Sequence, residues 1–526
     1  MTHDADVVVA GGGPVGLMLA CELALADVSV IVLERLTEVD TTIKAGSLNT
    51  PSVEALYRRG LLPQLAAAQR TALESFGAFI RQRQAAGASL TKPVPKFAGH
   101  FAGIMLRGEL LDASDPDFGT SGPAGEVGLV PQEALERILA ARAAELGVTV
   151  RRGVTLTGFD TAAADDDNDD VGATVHVHTS QGPLRAGWLV GCDGGRSTVR
   201  RLAGIPFPGT EPSITGHQAL VELTGADALG AGWNWTATGT YAHGPMPGRI
   251  LTVEFDGAPA DREAPVTAEE LQGALRRVSG VPDVTVTKVR SATRFTDNAR
   301  QASAYRRGRV LLAGDAAHVH APFGGQGLNL GLGDAMNLGW KLAATVHGRA
   351  PEGLLDSYAA ERQPLGAWVL EWTRAQVALM RPGSHSDALR RVVAELAGTS
   401  DATTYFAKKI SGVWQRYDLP GTHGLTGRSA PDLELSDGHR LADHLHAGTG
   451  LLLDLADDPG LRGRAAGLGD RVRVLTVRCP DRTGLAGLLV RPDGYVAWAS
   501  DVPGPYGELD AALARWFGAP TAAPVG

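Results

Sequence analysis

The chain has 526 residues, 44% of them hydrophobic, with a formal net charge of −9 and a pI near 5.9, which suits about three globular domains. The acidic balance and the lack of a basic run argue against a nucleic-acid partner, and no apolar run approaches the roughly 18 residues of a membrane span. Met1-Thr2-His3-Asp4 leads straight into a strand-like run with no export signal. The three cysteines (Cys21, Cys192, Cys479) are scattered, with no CxxC and no metal spacing, so a reducing cytoplasm is the expected location.

Residues 6–34 carry the most information. Apolar Val7–Ala10 reads as a strand running into Gly11-x-Gly13-x-x-Gly16. A helical run, Leu17–Leu25, follows, then a second strand, Val28–Leu33, ending in Glu34. This is a dinucleotide fingerprint with its strand, helix, strand and terminal acid all present. Gly11 permits the tight turn, Gly13 lets the backbone approach a pyrophosphate, and Gly16 lets helix and strand pack closely. The phosphates would rest on unpaired N–H groups at the helix start. Glu34 lies 18 residues beyond Gly16, where a carboxylate accepts from ribose hydroxyls.

Further along, Val130-Pro131-Gln132-Glu133-Ala134-Leu135-Glu136 opens a helix to about Leu146. Its proline at the start and acids in the first turn both fit that reading. Strands Val148–Arg151, Thr155–Phe159 and Ala173–His178 follow. Between the last two, Asp160–Val171 holds six acids without glycine-ordered spacing, and it reads as a solvated hairpin tip rather than a metal loop. Residues 205–300 change character. Gln218–Leu223, Gly239–Ala242, Ile250–Phe255 and Val284–Ser291 alternate and are interrupted by Gly and Pro, as in an antiparallel sheet inserted in the first domain. His217, Tyr241, His243 and Arg249 in this stretch are candidates to line a pocket, although each type is more often core or surface.

Residues 308–329 indicate which dinucleotide fits. A buried strand, Val310–Ala313, ends in Gly314-Asp315, and Pro322-Phe323-Gly324-Gly325-Gln326-Gly327-Leu328-Asn329 leads into an amphipathic segment, Gly333–Val346. A carboxylate at a strand end can hold a ribityl or ribose hydroxyl. A second glycine loop opening a helix can face the pyrimidine edge of an isoalloxazine ring. Two such loops some 300 residues apart suit FAD, which is long enough to touch both. His318 and His320 are two apart with no acidic third ligand close behind, so a metal is not expected. Residues 354–418 look helical, and Pro420–Pro431 forms a Gly/Pro-rich break. Beyond it, Gly450–Asp458, Leu461–Ala466, Val472–Val477, Ala486–Val490, Val496–Ala499 and Gly507–Phe517 give the order β-α-β-β-β-α of a thioredoxin fold. Arg491-Pro492-Asp493-Gly494-Tyr495 is the expected hairpin turn. Cys479 stands alone there, so this region reads as a packing or dimer-interface domain.

Three segments in this order resemble one family. They are the fingerprint, then Val190-Gly191-Cys192-Asp193-Gly194-Gly195-Arg196-Ser197 followed by Val199-Arg200, and Gly314-Asp315. They are similar to the class A flavoprotein monooxygenases, the para-hydroxybenzoate hydroxylase-like group, and most of all to the FAD-dependent hydroxylases of actinomycete aromatic polyketide pathways, over essentially the whole chain. The resemblance implies non-covalent FAD, NAD(P)H and O2 as co-substrates, a flavin C4a-hydroperoxide as oxidant and no obligatory catalytic acid or base. By motif it implies that Gly11, Gly13 and Gly16 contact the pyrophosphate, with Pro14 and Val15 in the same loop. Glu34 would bind the adenosine ribose, and Arg35 would lie beside the adenine. Gln132 would reach the FAD phosphates or ribityl, and Leu156 would give a backbone contact to adenine. Asp315 would bind the ribityl-pyrophosphate region, Pro322 would flank the flavin, and Gly325, Gly327, Leu328 and Asn329 would line its pyrimidine edge. Asp193 and Arg196 would serve both FAD and NAD(P)H, or else close a structural turn. Two positions depart from the family pattern. Lys44 stands where arginine is usual and loses the planar fork, and Pro51 stands where arginine is common. Trp233-Asn234-Trp235 shares only Trp-x-Trp with flavin halogenases, because Thr236-Ala237 replaces their Ile-Pro; an aromatic cavity wall suits it better.

The expected fold class is α/β: a Rossmann-type FAD domain with an inserted antiparallel-sheet substrate domain and a C-terminal thioredoxin-like domain. The expected divisions are 1–180 for the first part of the FAD domain, 181–293 for the sheet, 294–418 for the second FAD part with helices, and 419–526 for the last domain. The expected activity is hydroxylation of a polycyclic aromatic polyketide in antibiotic biosynthesis, with a homodimer as one assembly the chain could form. Baeyer–Villiger oxygenation, rifamycin-type antibiotic inactivation and a non-catalytic flavin-binding protein are the rival readings.

Overall fold

The computed structural model describes residues 3–85, 97–161, 174–244, 246, 248–259, 261, 264–480, 482 and 484–519. Most of the acidic stretch read as a hairpin tip, from residue 162 on, lies outside them. The large sheet begins with β1 (Ala5–Ala10), α1 (Pro14–Leu25) and β2 (Val30–Glu34), and continues with α2 (Gln132–Glu145), β3 (Thr149–Arg152) and β4 (Gly182–Gly191). Strand Val310–Leu312 pairs parallel to β4, β4 to β1, β1 to β2 and β2 to β3. Val7, Val8 and Val9 are fully buried, as expected of a parallel strand covered on both faces. α1 is apolar all round because it lies between this sheet and later helices. A Cβ on Gly339 would stand 2.4 Å from Glu22 Cβ, so glycine sets that close helix approach.

Residues 181–191, read from sequence with the inserted sheet, sit instead at the centre of the large sheet, in register Val7↔Trp188 and Val310↔Leu189. The polar start of β4 hid this. Its second half, Ala186–Gly191, is buried throughout and behaves as a central parallel strand. The antiparallel sheet proper contains β5 (Thr215–Thr224), β6 (Gly232–Trp235), β7 (Gly239–His243), β8 (Arg249–Glu254) and β9 (Thr285–Phe295), in the order β6-β7-β8-β5-β9. Helix α3 (Ala268–Ser279) starts at Thr267, whose side chain accepts from Glu270 N–H, and stops at Gly280 with φ +71°. Its Leu271, Leu275 and Val278 cover one sheet face, packing with Ala219, Val221, Tyr241 and Ile250.

The chain then returns to the large sheet and enters α4 (Gln326–Val346) and α5 (Ser357–Met380), followed by helices Ser384–Leu396 and Ser400–Ser411. The last unit has β10 (Gly450–Asp454), α6 (Pro459–Arg464), β11 (Val472–Thr476), β12 (Gly487–Val490), β13 (Val496–Ser500) and α7 (Gly507–Phe517). Its sheet order is β11-β10-β12-β13, with β10 and β11 parallel and the other pairs antiparallel. This is a thioredoxin-like arrangement without a dithiol. The turn Arg491–Tyr495 is formed as expected, with Gly494 at φ +84°, yet it is buried. Arg491 donates to Glu361 of α5 at 2.7 and 2.8 Å, Lys341 of α4 lies 3.0 Å from the same carboxylate, and Asn337 donates to it at 2.6 Å. Asp493 completes the ion cluster.

Candidate flavin site

The fingerprint turn is held by its own carboxylate. Gly12 N–H donates to Glu34 Oε2 at 2.7 Å, and Leu36 N–H donates to Oε1 at 2.8 Å. Gly11 has φ +108°, and a Cβ there would lie 2.2 Å from the Cys192 carbonyl oxygen. A Cβ on Gly16 would lie 2.0 Å from Gly11 O, whereas one on Gly13 would meet nothing within 4 Å. The turn therefore faces open space at the glycine expected to approach a pyrophosphate. Gly13 caps α1 with no side-chain cap and no acid in the first turn. The helix-start N–H groups, among them those of Val15 and Gly16, are available to an anion.

Val15 joins this loop to the second one. A Cβ on Gly314 would stand 3.2 Å from Val15 Cγ1, and one on Gly331 would stand 2.6 Å from Val15 Cγ2. Asp315 presents an exposed carboxylate with no hydrogen-bond partner among the described residues. Helix α4 opens after Gly325, at φ +64°, again with no capping side chain and no acid in its first turn. Asn329 Oδ1 accepts from Asn49 N–H at 2.9 Å, and its Nδ2 donates to Gly325 O at 2.7 Å. Residues 43–49 are strapped between these parts. Gln132 N–H donates to Ala45 O at 2.9 Å, Ile43 N–H to Ser291 Oγ at 2.8 Å, and Thr293 Oγ1 to Ile43 O at 3.2 Å. Lys44, 40% exposed, pairs with Asp40 at 2.6 Å. Burial raises the Asp40 pKa, but hydrogen bonds from Lys44 and Thr42 outweigh it and hold the carboxyl below its usual range.

The structure thus brings the fingerprint, Gly314–Asp315 and Gly325–Asn329 together, with Pro322 exposed at the edge and Leu328 half-buried. Arg35 is exposed beside Glu34. Leu156 is buried at the start of a hairpin strand, and two residues before it Val154 N–H donates to Glu34 O at 3.0 Å. Asp193 Oδ2 accepts from the N–H groups of Thr198 and Val199 at 2.7 and 3.1 Å, which is a turn-closing role, and Arg196 is exposed.

The sequence reading missed a buried network beneath the second loop. Asp334 accepts from Gly314 N–H at 3.0 Å, His318 Nε2 at 2.7 Å and Arg362 Nε at 2.8 Å. Burial pushes the Asp334 carboxyl up, but the His318 and Arg362 charges hold it below the usual range. The signal was the single acid in the helical run 326–346. His320 donates from Nδ1 to Ala321 O at 2.8 Å, so its Nε2 is an acceptor. That Nε2 is buried without a partner, 3.3 Å from where a Cβ on Gly327 would stand. Burial lowers its pKa, so the ring stays neutral. No group of three His, Cys, Asp or Glu suited to a metal occurs among the described residues. The set fits FAD: an open cradle at Gly13, two uncapped helix starts, a free carboxylate at Asp315 and an unpartnered acceptor at the second loop.

Beside these loops, the sheet face not covered by α3 is half-buried. Gln218, Leu220, Leu251, Thr293 and Trp233 all lie between buried and exposed there. Phe101, Phe295, Phe323 and Trp372 close the floor, with Phe295 and Phe323 edge to face at 5.8 Å. Of the pocket candidates, His217 and Tyr241 belong to the opposite side. His217 is 2% exposed and bonds Glu270 of α3 at 2.7 Å, and Tyr241 packs with α3. A groove of about 540 Å³ lined by Arg349, Pro351, Asp470 and Arg471 lies at the junction of α4 with the C-terminal unit, away from both glycine loops.

Comparison with known proteins agrees with this geometry. Residues 4–373 match the family described as FAD binding domain, and residues 423–520 match the aromatic-ring hydroxylase C-terminal family. The chain is 42% identical to a 12-dehydrotetracycline 5-monooxygenase/anhydrotetracycline 6-monooxygenase of Streptomyces rimosus, over 98% of this chain and 99% of that one. It is 40% identical to a rifampicin monooxygenase of Streptomyces venezuelae, over 98% and 99%. The solved anhydrotetracycline hydroxylase from Streptomyces rimosus superimposes with a TM-score of 0.82 at 40% identity, covering 98% of this chain and all of that one. No helix among the described residues is long and apolar enough to cross a membrane. With two family matches that together span nearly the whole chain, and the glycine loops gathered where a flavin dinucleotide fits, the chain belongs to the FAD-dependent aromatic-ring hydroxylases, a family of flavin monooxygenases.

Proposed function

We propose that this monooxygenase hydroxylates a polycyclic aromatic polyketide in the cleft between the antiparallel sheet and the glycine loops. The observation that carries this reading is the half-buried sheet face itself. It presents Leu220, Leu251 and Trp233 with Gln218 and Thr293, over a floor of Phe101, Phe295, Phe323 and Trp372. Such a face suits a flat ring system better than a small polar substrate. When bound, FAD accepts a hydride from NAD(P)H and activates O2 for transfer to substrate. The residues of the chain would hold the cofactor, bind the substrate beside it and keep water out. The similarity to tetracycline-pathway monooxygenases supports a polyketide. The similarity to rifampicin monooxygenase supports a second reading, oxygenation of a finished antibiotic.

The test is turnover by the holoenzyme with a panel of anthraquinone, angucycline and rifamycin compounds. At least one polycycle should stimulate NAD(P)H oxidation and gain one oxygen by mass spectrometry, with NMR separating ring hydroxylation from lactone formation. Stimulation by rifamycins alone would favour the second reading. If nothing in the panel stimulates oxidation, the polycyclic reading fails.

A further inference from the structure

Arg249 stands on the open face of the antiparallel sheet. In β8, Ile250 packs with Leu271 and Leu275 of α3, whereas Leu251 and Val253 pack on the cleft side. Alternate strand residues share a face, so Arg249 leaves the sheet with Leu251 and Val253. It pairs in register with Leu220, and Leu220 with Ser291, whose Oγ receives Ile43 N–H. Two interstrand steps, about 10 Å, therefore separate Arg249 from the strap beside the flavin site. Other arginines around this sheet are paired: Arg290 with Glu222 at 3.0 Å, Arg277 with Glu254 at 2.6 Å and Arg294 with Glu270 at 2.6 Å. The Arg249 guanidinium has no hydrogen-bond or ion-pair partner among the described residues. Burial lowers its pKa, and no neighbouring carboxylate acts against that.

His100 lies close by. Its ring sits 5.0 Å from that of Trp233, and its Nδ1 accepts from Gly103 N–H at 3.3 Å. Burial, with the Arg249 charge, pushes its pKa down to about 4. The ring is neutral, with Nε2–H as a donor that has no partner among the described residues. A half-buried guanidinium and a neutral imidazole N–H thus face one apolar cleft with nothing to bond. A desolvated charge without a counter-charge is destabilising, and an incoming anion would relieve it.

We propose that Arg249, assisted by His100, recognises an anionic oxygen of the substrate, such as an ionised phenol, an enolised β-dicarbonyl or a carboxylate, at the end of the ring system remote from the glycine loops. The proposal rests on the polycyclic-aromatic reading above. The holoenzyme is titrated with a dihydroxyanthraquinone carboxylic acid and with its methyl ester, read by perturbation of the flavin absorbance. The acid should bind about 10- to 100-fold more tightly than the ester. Arg249→Met should abolish that preference while still binding the ester, and Arg249→Lys should restore part of it. If the wild-type enzyme binds acid and ester alike, or Arg249→Met keeps the preference, the assignment to Arg249 is wrong and the polycyclic reading stands. If neither compound perturbs the flavin or stimulates NAD(P)H oxidation, both fall together.

Discussion

At the scale of single residues, the fingerprint glycines separate into two kinds. Gly11 and Gly16 are required by the fold, since a Cβ on either would overlap backbone at 2.2 and 2.0 Å. Gly13 has an ordinary φ of −76° and free space around it. Gly13→Val should therefore fold with the thermal stability of the wild-type apoprotein and lose FAD on gel filtration, while Gly16→Ala should fail to fold. A Gly13→Val protein with full flavin content would show that the phosphates run elsewhere. Lys44 makes a different case. It is half-exposed and, among the described residues, paired with Asp40 alone, so its loss should change stability by about 0–1 kcal/mol. FAD keeps many other anchors. Lys44→Ala should slow anaerobic flavin reduction by NAD(P)H more than it weakens FAD binding, by about 10- to 150-fold if one charge-assisted hydrogen bond acts on that step. Stopped-flow absorbance would measure it, and an unchanged rate with lost FAD would make Lys44 a plain cofactor anchor.

At the scale of elements, α4 links the flavin loop to the C-terminal unit. Its first turn follows Gly325, and one end of its buried side carries Asn337 and Lys341 against Glu361 and Arg491. Burial pushes the Glu361 carboxyl up, but Arg491 and Lys341 bring it down to about 2; burial lowers the Lys341 ammonium to about 7. The two shifts act in different pH windows. The Glu361 contribution is complete above its unfolded pKa and is lost as pH falls from about 4.5 toward 2. For Lys341 the unfolded chain binds more protons between pH 7 and 10.5, so stability rises with pH across that window. Wild type should accordingly gain thermal stability relative to Lys341→Met as pH rises from about 7 to 10. Glu361→Gln removes one partner of a buried ion cluster and should cost about 3–5 kcal/mol, seen as a lowered unfolding temperature. A Glu361→Gln protein as stable as wild type would mean that water or Asp493 alone satisfies the two cations.

At the scale of the whole molecule, the C-terminal unit is part of the core. Leu330, Trp340, Leu354 and Leu365 share one hydrophobic cluster with Leu452, Trp498, Leu513 and Trp516. Arg59 of the first half bonds Leu445 O and Pro492 O at 2.9 and 2.7 Å. A chain ending before residue 432 should therefore aggregate, because truncation exposes that apolar face, removes Arg491 from Glu361 and strips Arg59 of Leu445 O and Pro492 O. Cys479 is buried in the loop after β11, with no second cysteine in the C-terminal unit, so Cys479→Ser should leave turnover unchanged. Loss of turnover at unchanged stability would instead give the thioredoxin-like unit a redox role.

The amino-acid sequence by itself determined the local units. The βαβ fingerprint, the second glycine loop at the start of a helix and the thioredoxin-like strand order are all written in short windows, because turns, caps and strand periodicity depend on neighbours a few residues away. Tertiary structure alone decided which face of each unit is covered. The alternation in 215–254 was legible, but not that His217 and Tyr241 would turn toward α3 while Arg249 turned toward the cleft; that depends on where a helix some 20 residues later packs. The Pro-Asp-Gly turn was legible as a turn. Its burial was not, because Glu361 and Lys341 lie far away in the sequence and the stability of the charge cluster belongs to the assembled pair of helices. The same holds for Asp334, one polar residue among several in α4 until folding brings Gly314, His318 and Arg362 around it.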